Sequence, residues 1–166
     1  MTKRIFVTAI AAAVIAASLP TAGATNALTA VPPSAKGQAV YVGSTRVYPT
    51  GYNINDNNYF KLRDLAAALK GLDSEFAVTW NAAQQRIDLT SKTAYTPVGG
   101  EQAALPAGNK AASLTSAAVY LDGNPLSLTA YSIGGNNYFK LRDLVFALGF
   151  SVDWDNATST VTISAQ

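Results

Sequence analysis

The residues with the chemistry to build a site come as a set written twice. Lys61, Arg63 and Asp64 place two cations and a carboxylate within four positions, and Lys140, Arg142 and Asp143 repeat them. Such a cluster could form a polar site. It could also activate water if a second titratable group faced it across a cleft. The sequence offers no such partner, because the chain has no histidine and no cysteine. That removes the commonest general base near neutral pH, most metal-ligand sets and any disulfide framework. There is no Ser/His/Asp or Cys/His set, no phosphate-binding loop and no dinucleotide fingerprint. Two carboxylates could cleave a glycosidic bond without histidine. Here the acidic residues are scattered through turns and helix surfaces, so a carboxylate-based hydrolase is the weakest reading. No catalytic, cofactor-binding or metal-ligating residue is assigned, and no cofactor is expected. Asp153-Trp154-Asp155-Asn156 resembles part of a calcium loop, but it lacks the later Gly and Glu of an EF-hand. It reads as a strand end and turn.

The elements around the charged set explain it more simply. Each set sits in one nonapeptide, Asn57-Asn58-Tyr59-Phe60-Lys61-Leu62-Arg63-Asp64-Leu65, which recurs letter for letter from Asn136 to Leu144. An identical run of this length reads as a tandem repeat. Within it the hydrophobic period changes. Tyr59-Phe60 ends a strand; Leu62, Leu65, Ala66 and Leu69 then mark one face of a helix from about Lys61 to Lys70. Asp64 falls in the first helical turn, where a carboxylate is favoured by the helix dipole. The charged residues are therefore expected to brace a strand-to-helix corner or face solvent.

The repeats extend beyond the nonapeptide. Val40-Tyr41-Val42 corresponds to Val119-Tyr120-Leu121, and Tyr52 and Ile54 correspond to Tyr131 and Ile133. After the helix, Trp80, Ile87 and Leu89 correspond to Trp154, Val161 and Ile163. Five extra residues around Lys70 to Ser74 separate the two registers. Each unit reads β-β-β-β-α-β-β. The expected fold class is α+β: two tandem small units, each a short antiparallel sheet packed on one helix. Units of this size are marginal alone, so the two are expected to pack together or be closely tethered. The tryptophans and the tyrosines at strand spacing are expected in the core. Tyr48, whose counterpart is Ser127, is the one ligand-contact candidate.

The remaining segments set the boundaries. Residues 1–24 read as a secretory signal peptide: Lys3 and Arg4, an apolar run from Ile5 to Leu19 too short for a comfortable membrane span, then cleavage after Ala24 or Ala27. Residues 25–37 read as a flexible leader, 38–90 as the first repeat, 91–116 as a loop-rich linker and 117–164 as the second repeat. The chain carries 12 basic and 10 acidic residues. Loss of Lys3 and Arg4 leaves the mature charge near zero, with no basic patch for nucleic acid. A secreted or cell-surface protein without a membrane span after cleavage is expected.

The pattern Tyr-x-Ile-x-x-Asn-Asn-Tyr-Phe-Lys-Leu-Arg-Asp-Leu, a short helix, Val-x-Trp-(Asn/Asp) and a closing β-run resembles the copper amine oxidase N-terminal-like, or stalk, domain. It is carried by Tyr52 to Leu89 and again by Tyr131 to Ile163, so the resemblance implies two tandem copies. It also implies a non-catalytic domain that holds neither the copper nor the quinone of the oxidases. Copper there needs histidines, and the quinone tyrosine needs a context that Asn58-Tyr59-Phe60 and Asn137-Tyr138-Phe139 lack. The implied role is a spacer or interaction module at the surface of Gram-positive bacteria, with a cell-wall polymer or another envelope protein as partner. A binding module for wall glycan or peptide is the alternative.

Overall fold

The computed structural model describes residues 28–32, 38–105, 107–115 and 117–165. The signal-peptide reading and part of the leader fall outside these residues. Within them the chain forms fourteen strands and two short helices. The first repeat contains β2 (Ala39–Val42), β3 (Thr45–Val47), β4 (Gly51–Ile54), β5 (Asn57–Lys61), α1 (Leu62–Ala68), β6 (Phe76–Asn81) and β7 (Arg86–Ser91). The second contains β9 (Val119–Leu121), β10 (Asn124–Leu126), β11 (Ala130–Ile133), β12 (Asn136–Lys140), α2 (Leu141–Leu148), β13 (Phe150–Asp155) and β14 (Thr160–Ala165). Two further strands, β1 (Leu28–Ala30) and β8 (Lys110–Thr115), arise in segments that read as leader and linker.

The α+β expectation of two units, each a sheet on one helix, is not what forms. The protein is mostly β, and its strands make three sheets shared between the repeats. The central sheet has the order β1-β8-β11-β12-β5-β4. The flanking sheets are β10-β9-β7-β6 and β13-β14-β2-β3. Each repeat thus sends its first hairpin to the other. β2 pairs in parallel with β14, and β9 pairs in parallel with β7. The Arg86 guanidinium lies over the Tyr120 ring at 3.9 Å, tying the second of these exchanges. The physical reason is burial. Strand runs of three or four residues cannot complete a two-faced sheet within about fifty residues, whereas exchange lets both repeats fill one core.

The nonapeptides meet at the centre of this arrangement. β5 and β12 are antiparallel neighbours with Phe60 opposite Phe139, flanked by Lys61–Tyr138 and Tyr59–Lys140. The register is the same read from either strand, so a local two-fold relates the repeats here. Phe60 and Phe139 point into a single cluster with Leu65, Leu69, Phe76 and Leu89 from one repeat and Leu144, Phe150, Val161 and Ile163 from the other. Each side chain of this kind contributes about 1.5–3 kcal/mol on burial. A second cluster joins Tyr52, Ile54, Tyr59, Ile133 and Tyr138 with Ala30 of β1 and Ala112 of β8. Its tyrosines pair edge to face across the repeats, Tyr52 with Tyr138 and Tyr59 with Tyr131, each with ring centroids 5.1 Å apart. Burial raises the hydroxyl pKa of Tyr52, Tyr59 and Tyr138, the last to about 12, with Tyr52 and Asp64 adding to the effect on Tyr138.

Candidate functional site

The duplicated charged set lies at the strand-to-helix corners. Neither Lys61 nor Lys140 caps its helix with a side chain. The carboxylate of the third helical residue reaches back instead. Asp64 Oδ2 accepts the Thr50 backbone N–H at 2.6 Å, and Asp143 Oδ2 accepts the Thr129 N–H at 2.9 Å. In the same bends, Lys61 N–H donates to Thr50 O and Lys140 N–H to Thr129 O. Each aspartate therefore satisfies a backbone donor that turns away from its sheet, while its charge lies in the first turn of the helix. Gly51 follows Thr50 because the corner is tight: a Cβ there would stand 2.4 Å from the Phe60 ring.

The two corners differ in cover. Over the first lies the segment after β7. Tyr95 is fully buried, and its hydroxyl donates to Glu101 Oε1 at 2.6 Å. The same carboxylate accepts the Val98 and Gly99 N–H groups. These bonds, led by the one from Tyr95, hold the Glu101 carboxyl at about 2. Burial, then Glu101, pushes the Tyr95 hydroxyl up to about 12. Thr50 Oγ1 donates to Ala103 O, and Tyr48 N–H to Gln102 Oε1. Under this cover Asp64 is wholly buried; Asp143 is only half-buried.

Tyr48, the ligand-contact candidate, is 64% exposed, with the Arg46 guanidinium 5.3 Å from its ring centroid. The tryptophans are not core residues: Trp80 and Trp154 stand on the outer ends of β6 and β13, 52% and 42% exposed. Strand alternation places them on the same face as buried Phe76 and Phe150, but the strands run past the edge of the core.

Sequence reading missed a groove beside α2. It has a volume of about 730 Å³, within the range of small-ligand sites. Phe146 and Trp154 form its apolar walls, and Lys140, Arg142, Asn58 and Asn156 bring polar groups to it. Phe146 is 84% exposed. It lies off the stripe of Leu141, Leu144, Val145 and Leu148, and its counterpart is Ala67. That mismatch was the available signal. Arg142 is exposed, and among the described residues neither it nor Lys140 is in an ion pair. The Trp154 indole N–H is held by Asn156 Oδ1, which fixes the ring.

Among the described residues no three acidic side chains gather closely enough to hold a metal ion. Each carboxylate of the duplicated set holds a backbone donor through Oδ2, while Asp64 Oδ1 is buried without a hydrogen-bond partner among the described residues. The fold and its corners define a two-fold-related β framework in which the two corner aspartates serve architecture. Residues 36–163 match the copper amine oxidase N-terminal domain, and the chain belongs to that family. In the oxidases this domain is the non-catalytic part. A single match spans both repeats. No curated protein and no solved structure matches the chain. A copper centre does not fit the residues present, since the chain has no histidine to ligate it.

Proposed function

We propose that the chain is an exported, non-catalytic protein made of two tandem stalk domains, acting as a spacer or interaction module at the bacterial cell surface. The observation that carries this reading is the use of the duplicated charged set. Asp64 and Asp143 hold backbone corners, so the most reaction-like residues of the sequence are committed to the framework. The family match supports a non-catalytic role. The signal-peptide pattern of residues 1–24 supports export.

Expression of the full chain in a Gram-positive host tests this reading. Cleavage after Ala24 or Ala27 and recovery of the mature chain in the cell-wall fraction are expected. Affinity capture there should return a wall polymer or an envelope protein. Uncleaved chain confined to the cytosol would refute export, and amine turnover with peroxide release would refute the non-catalytic role. Tyr48 favours a second reading as a wall glycan or peptide binder, because its ring is exposed beside Arg46. Retention on purified cell wall should then fall in Tyr48→Ala.

A further inference from the structure

The residues that line the groove beside α2 have sequence counterparts around α1, and although Ser159 stands for the larger Gln85, four others have changed toward larger or more polar side chains. Phe146 replaces Ala67, Asn156 replaces Ala82, Asp56 replaces Gly135 and Gln38 replaces Ala117. Each change adds an aromatic ring or a polar group on the α2 side. Framework needs do not explain this, since Ala67 serves the same turn of an equivalent helix. Phe146, 84% exposed, shares the groove with Trp154, 42% exposed, so the two rings form a local aromatic surface rather than one isolated exposed side chain.

The free hydrogen-bonding groups specify the occupant. Asn58 Oδ1 already accepts from Asn53, and Asn156 Oδ1 from Trp154, which leaves the two Nδ2 groups as donors. Lys140 and Arg142 add an ammonium and a guanidinium outside any ion pair among the described residues. The groove therefore pairs two accessible aromatic rings with four donors, two of them cationic, against one carboxylate, that of Asp56. Aromatic faces take the C–H faces of sugar rings, and amide and guanidinium donors take hydroxyl and carboxylate oxygens. A peptide added as a strand would instead use backbone groups of a sheet edge, whereas the polar groups turned to the groove are side chains.

We propose that this groove binds an acidic glycan, a chain of carboxylate-bearing sugars, with rings against Phe146 and Trp154 and a carboxylate at Arg142 and Lys140. This deepens the interaction-module reading by naming a ligand class, and it assigns binding to α2 rather than to Tyr48.

The test uses the full chain carrying Trp80→Phe, so that Trp154 is the sole tryptophan and is excited selectively over the tyrosines. The probes are tetragalacturonate and a hyaluronan tetrasaccharide, with cellotetraose as the neutral control and tetraglutamate as the peptide control. A saturable change in Trp154 fluorescence is expected with at least one acidic saccharide. Affinity should be at least about tenfold weaker in Phe146→Ala and in Arg142→Gln, a loss of about 1.4 kcal/mol. Both side chains are exposed, so neither change threatens the fold, and an unchanged thermal midpoint verifies this. Absence of a saturable response to either acidic saccharide overturns the proposal. An equal response to cellotetraose removes the carboxylate requirement, and an equal response to tetraglutamate makes the groove a peptide site; each overturns it. Cell-wall recovery of Phe146→Ala separates the two readings: retention despite lost saccharide binding leaves the surface module standing and removes the groove from it.

Discussion

The two strand-to-helix corners carry the same nine residues and end in different surroundings. At the first, Asp64 is sealed beneath Tyr95 and the Glu101 clasp; at the second, Asp143 makes the same bond to backbone with solvent at its side. The local hydrogen bond is set by the nonapeptide. What it contributes is set by the chain that passes over it. A buried acceptor that loses its partner, or a buried donor left without one, costs more than an exposed one that water can satisfy. The groove beside α2 belongs to the same contrast. Arg63 is half-buried near the Tyr95 hydroxyl, while Arg142 is open to a ligand.

The largest effect should come from separating the regions. Residues 38–91 expressed alone lose β14 as the partner of β2, β9 as the partner of β7 and β12 as the partner of β5. No cooperatively folded monomer is expected, and assembly into a two-fold dimer that restores the exchanged hairpins is the one route to a folded state. A monomer melting at the temperature of the full chain would break the account of a shared core.

The next effect compares the aspartates directly. Asp64→Ala strands the Thr50 N–H in a buried corner and should cost about 2–3 kcal/mol, while Asp143→Ala should cost about 1 kcal/mol because water reaches the Thr129 N–H. Urea denaturation of the two variants measures the difference. Equal losses would show that the cover over the first corner does not matter energetically.

The smallest effect concerns the clasp itself. The folded Glu101 pKa, about 2, lies below the ordinary carboxylate range. Its contribution to stability is therefore present above the unfolded pKa and is lost as pH falls toward 2. In Glu101→Gln, melting temperature should fall less steeply between about pH 4.5 and 2 than in the parent chain. An identical slope would mean that Glu101 stays outside the acid response.

Much of the local structure was legible in the sequence. The order β-β-β-β-α-β-β within each repeat follows from hydrophobic period, and the observed elements from β2 to β7 and from β9 to β14 have that order. The place of the strand-to-helix corner was legible too, but the choice between solvent and brace was left open, and the donors that Asp64 and Asp143 reach, Thr50 and Thr129, lie fourteen residues upstream, just before β4 and β11. The pairing of strands was not. Val40 and Val119 carry the same alternation whether their partner lies in their own repeat or in the other, and period says nothing about which. β8 was hidden for a related reason: Lys110–Thr115 is rich in alanine and serine, and it becomes a strand because β1 and β11 lie on its two sides. The tryptophans misled because residue type favours burial, while their place at the outer ends of β6 and β13 favours exposure.

The sequence by itself determined the duplicated corner, the element order and the absence of histidine and cysteine chemistry, all of which depend on residue type and near spacing. Tertiary structure alone decided that the hairpins cross between repeats, that Tyr95 seals one corner, and that Phe146 and Trp154 wall an open groove at the other. Those outcomes depend on which distant surfaces fill a shared core, and identical local sequences leave that choice to packing.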